Sequence, residues 1–226
     1  MATNDRVISS WSDTQVAQAW KANDGLLDLL ALPRALALAL VAESGSPSLV
    51  VDVGSGPGTI LAQALDRFPQ ARGVWYDASP AMQDLARETL SAHLDRVEFV
   101  VGDAADLLDC TAARGADLIT NSRVAHHFDA DGLRKFYRDC AELLAPDGWV
   151  VTLDHILPPG DWDRRYRAVI TQFAGPNAGK PGHPHYFPFP SVQQHLDALA
   201  AAGLTDADLA WKAMYTCLYL GRRPAA

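Results

Sequence analysis

The stretch Leu49-Val50-Val51-Asp52-Val53-Gly54-Ser55-Gly56-Pro57-Gly58-Thr59 constrains this chain more than any other. Apolar from Leu49 to Val53 except at Asp52, it reads as a strand buried on both faces. Glycines at alternate positions come directly after, and they allow a sharp turn whose backbone can lie against a ligand where a Cβ would collide. Beyond the turn, Ile60, Ala64, Leu65 and Phe68 share one face of a helix running from Thr59 to Phe68. A buried strand, a glycine turn and a helix N-terminus make the binding edge of a nucleotide-type α/β fold.

The downstream sequence supports that reading in order. Gly73–Asp77 is a second strand ending in an acid, roughly twenty residues past the glycines, where doubly wound folds carry the carboxylate that grips ribose hydroxyls. A third strand starts at Arg96 and ends in Gly102-Asp103; Ala116–Asn121 and Gly148–Asp154 are the fourth and fifth. Helical stretches lie between them at Ala81–Leu90 and Ala130–Leu144. Ser191 caps a helix ending near Gly203, and strands around Asp208–Lys212 and Tyr215–Leu220 close the sheet. The expectation is an α/β fold, a doubly wound, mostly parallel seven-stranded sheet in a single domain over 1–226. Residues 1–45 form a helical cover, with Trp11, Val16 and Trp20 on an apolar side and a further helix bracketed by Pro33 and Gly45. Residues 48–155 form the binding core. Residues 156–190 form an inserted cover, with a helix over Asp161–Phe173 and a Gly/Pro/His-rich loop, and 191–226 complete the domain.

Composition excludes several classes. With 49% hydrophobic and 20% charged residues, the 226-residue chain can build one substantial core. A net charge of −8 argues against nucleic acid, which needs clustered cations; the basic runs, Arg164-Arg165 with Arg167 and Arg222-Arg223, are short. Cys110, Cys140 and Cys217 are odd in number and widely spaced, which suggests no disulfide or zinc pattern and suits a reducing cytoplasm. The first residues lack the pattern of an export signal, and the greasiest run, Ala35–Ala42, falls far short of the ~20 residues that span a bilayer. His183 and His185 form a His-x-His pair with no third ligand at suitable spacing, so no metal is expected. These features point to a cytoplasmic protein with a small-molecule partner, no nucleic acid and no membrane, with a homodimer left open.

Several motifs together resemble a known family. Val51-Asp52-Val53-Gly54-Ser55-Gly56-Pro57-Gly58 is followed by Tyr76-Asp77-Ala78-Ser79-Pro80-Ala81-Met82 and Gly102-Asp103-Ala104, then Val124-Ala125-His126-His127-Phe128 and Leu144-Ala145-Pro146-Asp147-Gly148-Trp149. In that order they resemble the class I S-adenosylmethionine-dependent methyltransferases over roughly residues 48 to 155, and more loosely beyond. Asp147 departs from the Lys-Pro-Gly-Gly often found at that turn. A nicotinamide dehydrogenase fits less well, because its Gly-x-Gly-x-x-Gly fingerprint would need glycine at Thr59 and finds it one residue early, at Gly58. The resemblance implies a Rossmann-like methyltransferase fold with S-adenosylmethionine as cofactor. It implies contacts to that donor from Asp52, Gly54, Ser55, Gly56, Gly58, Asp77, Ala78, Met82, Asp103, Ala104 and Asn121. Asp52 would hold the loop and the donor's amino group, Asp77 the ribose hydroxyls, and Asp103 and Ala104 the adenine edge. Asp52 reads equally as a hydrogen-bond anchor, and Met82 as ordinary core filling.

The candidate chemistry gathers at the ends of strands four and five. His126, His127 and His155 lie where a base would take a proton from an acceptor hydroxyl, and their bland alternative is packing of the loop. Arg123, Arg164, Arg165 and Arg167 suit an acidic substrate or simply a solvated face. Aromatics assigned to the covers, namely Trp11, Trp20, Trp75, Trp162, Tyr166, Phe173, Tyr186, Phe187 and Phe189, suggest an enclosed pocket for a small organic acceptor. O-methylation in bacterial natural-product tailoring is the favoured expectation. N- or C-methylation, a same-fold cyclase or decarboxylase and a non-catalytic binding protein are the alternatives. Product mass separates them.

Overall fold

A computed structural model of the chain describes residues 28–174 and 188–225. The expectations on Trp11, Val16, Trp20, His183, His185, Tyr186, Phe187 and the Phe173 side chain lie outside the described residues. The strands are β1 (Leu49–Val53), β2 (Arg72–Asp77), β3 (Val97–Val101), β4 (Ala116–Ser122), β5 (Leu144–His155), β6 (Thr205–Ala213) and β7 (Thr216–Arg222). The α-helices are α1 (Asp28–Ala42), α2 (Thr59–Arg67), α3 (Pro80–Thr89), α4 (Ala130–Leu143), α5 (Trp162–Ala174) and α6 (Val192–Ala201). The strands form one seven-stranded sheet in the order β3-β2-β1-β4-β5-β7-β6. β1 to β5 run parallel; β7 returns antiparallel beside β5, and β6 antiparallel beside β7.

Both faces of the sheet are covered, which explains why its strands carry apolar runs rather than clean alternation. Successive residues still point to opposite sides, so Val50 and Val51 enter different cores. On one face Leu38 and Val41 of α1, Leu61 and Leu65 of α2, and Met82 and Ala86 of α3 pack over Val50, Trp75, Leu118 and Leu218. On the other, Leu133, Phe136 and Tyr137 of α4 and Leu199 of α6 pack over Val51, Ile119, Val150 and Tyr219. Helix starts obey local chemistry. The Ser79 hydroxyl accepts from Met82 N ahead of Pro80, and Ser191 forms a capping box with Gln194.

Three boundaries differ from expectation. Pro33 lies inside α1 rather than opening it. The helix runs through because Leu30, Pro33, Arg34, Ala37, Leu38 and Val41 form its buried stripe, which offsets the one main-chain bond that proline cannot donate. β5 begins at Leu144 rather than Gly148, with a register break between its pairing to Ala116 and to Leu118. β6 spans Thr205–Ala213 through two register shifts, as an edge strand with one free side tolerates. The order reverses between β1 and β4, and in open α/β sheets ligands bind at such a switch point, beyond the C-terminal strand ends.

Candidate functional site

β1 runs directly into Gly54 and Gly56, both left-handed at φ 60 and φ 53. A Cβ on Gly54 would strike the Val124 side chain. Among the described residues, one on Gly56 would meet no non-neighbouring atom within 4 Å, so there bare main chain fronts open space. Asp52, buried beneath the loop, accepts from the Ser55 hydroxyl at 2.6 Å and the Thr120 hydroxyl at 2.7 Å. Burial pushes its carboxyl up to about 6 against the pull of those hydroxyls and of Arg34. Its visible contacts are those of an anchor tying the loop to β4.

Asp77, at the end of β2, accepts from Gly56 N and Ser79 N, each at 2.8 Å. Burial pushes it, too, up to about 6, opposed by the main-chain N–H groups of Gly56, Ser79 and Ala78. Asp103 lies just past β3 and accepts from Ala105 N at 2.9 Å, opening the short 3₁₀ turns that begin at Ala104. Asp52, Gly54, Ser55, Gly56, Gly58, Asp77, Ala78, Asp103 and Ala104 therefore gather at the C-terminal ends of three adjacent strands.

Two of the expected ligand contacts also have partners within the protein. Met82 is buried in the core between α3 and the sheet, so it fills space there. The Asn121 side chain turns away from β1: its Nδ2 donates to Val151 O at 3.2 Å and to the Thr152 hydroxyl at 2.8 Å. β4 pairs Asn121 directly with Thr152, and that register aims the amide along the sheet interior. Trp75 corrects a third expectation. It is fully buried on β2 rather than in a cover, and its indole N–H donates to Gly56 O at 2.8 Å.

The other half of the crevice is built from β4 and β5. His126 sits in a single 3₁₀ turn, Ala125–His127, just past β4. Its main-chain N donates to one oxygen of Asp154 at 3.0 Å, and its Nδ1 lies 2.5 Å from the other. Asp154 also accepts from His155 N at 2.6 Å. Burial by itself would push the Asp154 carboxyl up, but the charge and hydrogen bond of His126 outweigh it and hold it well below the usual carboxylate range. An ionised Asp154 only accepts, so the proton of that bond sits on Nδ1. Behind this pair, burial pushes His195 of α6 down to about 4; it hydrogen-bonds Tyr137 at 2.8 Å and stacks on Tyr219. It stays neutral beside a charged Asp154.

The three candidate histidines do come together. The His126 ring centroid lies 4.2 Å from that of His127, 5.7 Å from His155 and 5.1 Å from Phe189. The His126 ring is gripped by the Asp154 carboxylate, while His155 Nδ1 meets the Thr216 hydroxyl at 3.2 Å. The arginines of α5 do not join them. Arg164 and Arg165 pair with Asp161 and Arg167 with Asp163 along the exposed face of that helix. Among the described residues no group of three His, Cys, Asp or Glu side chains could hold a metal ion, and no helix is long and apolar enough to cross a membrane. Asp154 and Thr120 are absent from the sequence-derived site. Asp154 has a signal in standing at the end of a predicted strand beside His155, but its partner lies 28 residues away.

Residues 50–148 match a family model described as a methyltransferase domain. Among curated proteins, the chain is 33% identical over 113 residues to 3-amino-4-hydroxybenzoate 4-O-methyltransferase of Streptomyces cremeus, covering 50% of this chain and 30% of that one. It is 42% identical over 143 residues to trans-aconitate 2-methyltransferase of Methylobacterium radiotolerans, covering 62% and 49%. The chain thus spans between about a third and a half of the length of these relatives. Among solved structures, an O-methyltransferase family protein from Burkholderia thailandensis superposes with a TM-score of 0.69 at 25% identity, over 94% of this chain and 62% of that one.

Proposed function

We propose that the chain, which carries a methyltransferase domain over residues 50–148, is a class I S-adenosylmethionine-dependent methyltransferase that moves a methyl group to a small organic acceptor, by preference to a hydroxyl. The fit of that donor rests on the bare side of Gly56 and on the carboxylate of Asp77 beside it. In this reading Gly54 to Gly58 receive the amino-acid part, Asp77 the ribose hydroxyls, and Asp103 with Ala104 the adenine edge. The donor brings a sulfonium-activated methyl group. The protein has to hold the acceptor in line, exclude water and take a proton.

The observation that carries the reading is the clamp on His126. Asp154 fixes the ring through both Nδ1 and the adjoining main chain, and in this reading Nε2 of the neutral ring takes the acceptor's proton. The charge that then arises on imidazole is balanced by a buried carboxylate at 2.5 Å. His127, His155 and Phe189 wall the same space with flat rings suited to a planar organic acceptor. Relatives named for hydroxybenzoate and mitomycin O-methylation in Streptomyces support a tailoring role of the same kind. The same reading has it act in the cytoplasm on small molecules and leaves a homodimer to be read by sedimentation. The test is a panel of small phenols and acids with labelled donor, read by mass spectrometry. A gain of one methylene unit in an acceptor is the expected result, and donor turnover without it would replace methyl transfer by another reaction.

A further inference from the structure

Residues 75 to 77 stand out once the site is assembled, because each is bonded to a neighbouring strand end. Trp75 and Asp77 are two apart on β2 and so face the same side of the sheet. They take hold of opposite ends of one residue: Asp77 accepts the N–H of Gly56, and Trp75 donates to its carbonyl, both at 2.8 Å. Tyr76, between them, faces the other side. Its main-chain oxygen accepts from Ser55 N at 3.2 Å, and its hydroxyl donates to Asp103 O at 2.9 Å. The Tyr76 ring and hydroxyl fill the place where a Cβ on residue 102 would stand, which explains the glycine there. Both rings are buried, Trp75 wholly so.

We propose that Trp75 and Tyr76 are positioning residues for the donor site, which with Asp77 form a template that fixes the main chain of Gly56 on one side and of Asp103 on the other. The inference rests on the proposed binding of S-adenosylmethionine and concerns affinity rather than the chemical step. Gly56 is left-handed and has no side chain of its own, so its two main-chain groups are the only handles by which a neighbour can hold it. A strand supplies such handles rigidly. Its pleat spaces Trp75 and Asp77 to straddle a single residue while turning Tyr76 to the opposite strand end. Burial pushes the Tyr76 hydroxyl well above the ordinary phenol range, so it remains a donor to Asp103 O at any working pH.

The experiment is calorimetric titration of S-adenosylhomocysteine into the wild type, Trp75→Phe, Tyr76→Phe, Asp77→Asn and the Trp75→Phe/Asp77→Asn double variant, with turnover measured at saturating donor. Each aromatic replacement removes one hydrogen bond to a half-buried carbonyl, so dissociation constants should rise roughly 5- to 50-fold. In Trp75→Phe and Tyr76→Phe, saturated turnover should fall by less than the affinity does, because the loss is in donor binding. Trp75 and Asp77 act on the same residue, so the double variant should lose less than the product of the single losses. Benzothienylalanine at position 75 keeps the shape without the N–H, and it should reproduce the Trp75→Phe loss even if phenylalanine disturbs folding. Unchanged affinity in that analogue and in a folded Tyr76→Phe overturns the proposal while leaving donor binding intact. Failure of the wild type to bind overturns the donor reading, and the template's purpose with it.

Discussion

The two halves of the crevice hold their shape by different means. On the donor side, between β1, β2 and β3, the shaping groups are main-chain atoms: Gly56 N, Gly56 O and Ser79 N are held by side chains of the neighbouring strand or turn. On the acceptor side, between β4 and β5, the shaping groups are side chains whose contacts bridge distant positions. His126 reaches Asp154, Tyr137 reaches His195, and His155 reaches Thr216. A surface made of main chain tolerates sequence change only where no Cβ intrudes. A surface made of side chains changes its chemistry with single substitutions. On the proposed assignment, one half can keep a fixed cofactor while the other is respecified for a new acceptor.

The sharpest way to break this division is His126→Ala. If the acceptor side carries the proton transfer, turnover should fall about 10²- to 10⁴-fold while S-adenosylhomocysteine binds as before. His127→Ala and His155→Ala leave the His126–Asp154 pair in place and should each cost less than about fivefold. An equal loss in all three would assign the histidines to packing, and a loss of donor affinity in His126→Ala would join the halves.

The reverse test is Gly56→Val. A branched side chain is strained at φ 53, and it would fill the face that, among the described residues, meets no non-neighbouring atom within 4 Å. Donor affinity should fall roughly a hundredfold, with the melting temperature as the control for folding. Asp77→Asn keeps the shape and removes the charge. It should weaken the same binding roughly ten- to a hundredfold, and unchanged affinity would take the ribose hydroxyls away from Asp77.

The contrast also explains what is legible in the sequence. The donor half is local: a strand, its glycines and the acid at the end of the next strand all announce themselves by spacing. Gly54, Gly56, Asp77 and Asp103 accordingly stand at the strand ends where that spacing places them. The acceptor half depends on register. His126, His127 and His155 are equal candidates by sequence, and the pairing of β4 with β5 brings Asp154 against the His126 ring. Trp75 eludes the sequence for a related reason. An aromatic in an apolar run looks the same whether it lines a pocket or braces one from below, and only the fold distinguishes them. Pro33 misleads because a local breaker rule competes with a long buried stripe, and the stripe wins.

The smallest expected effect separates the halves by pH. On the donor side Asp52 and Asp77 are both pushed up to about 6 by burial, so the folded protein binds protons there that the unfolded chain releases nearer pH 4. Between about pH 4 and 6 these groups therefore make the ligand-free protein less stable as pH rises. Asp154 on the acceptor side has the opposite sign. Its carboxyl is depressed, so its contribution is present above the ordinary carboxylate range and is lost as pH falls through its folded value. Donor binding should favour ionised Asp77, which accepts the ribose hydroxyls that S-adenosylmethionine and S-adenosylhomocysteine share. Affinity should then fall about tenfold from pH 7 to pH 5, as the ionised fraction drops on crossing 6. Titrations of S-adenosylhomocysteine at half-unit steps check this, with Asp77→Asn as the comparison. The wild-type curve should bend near 6 and the variant's should be flatter. Curves of equal slope would move the titrating group from Asp77 to Asp52, and with it the site where pH acts on the donor half.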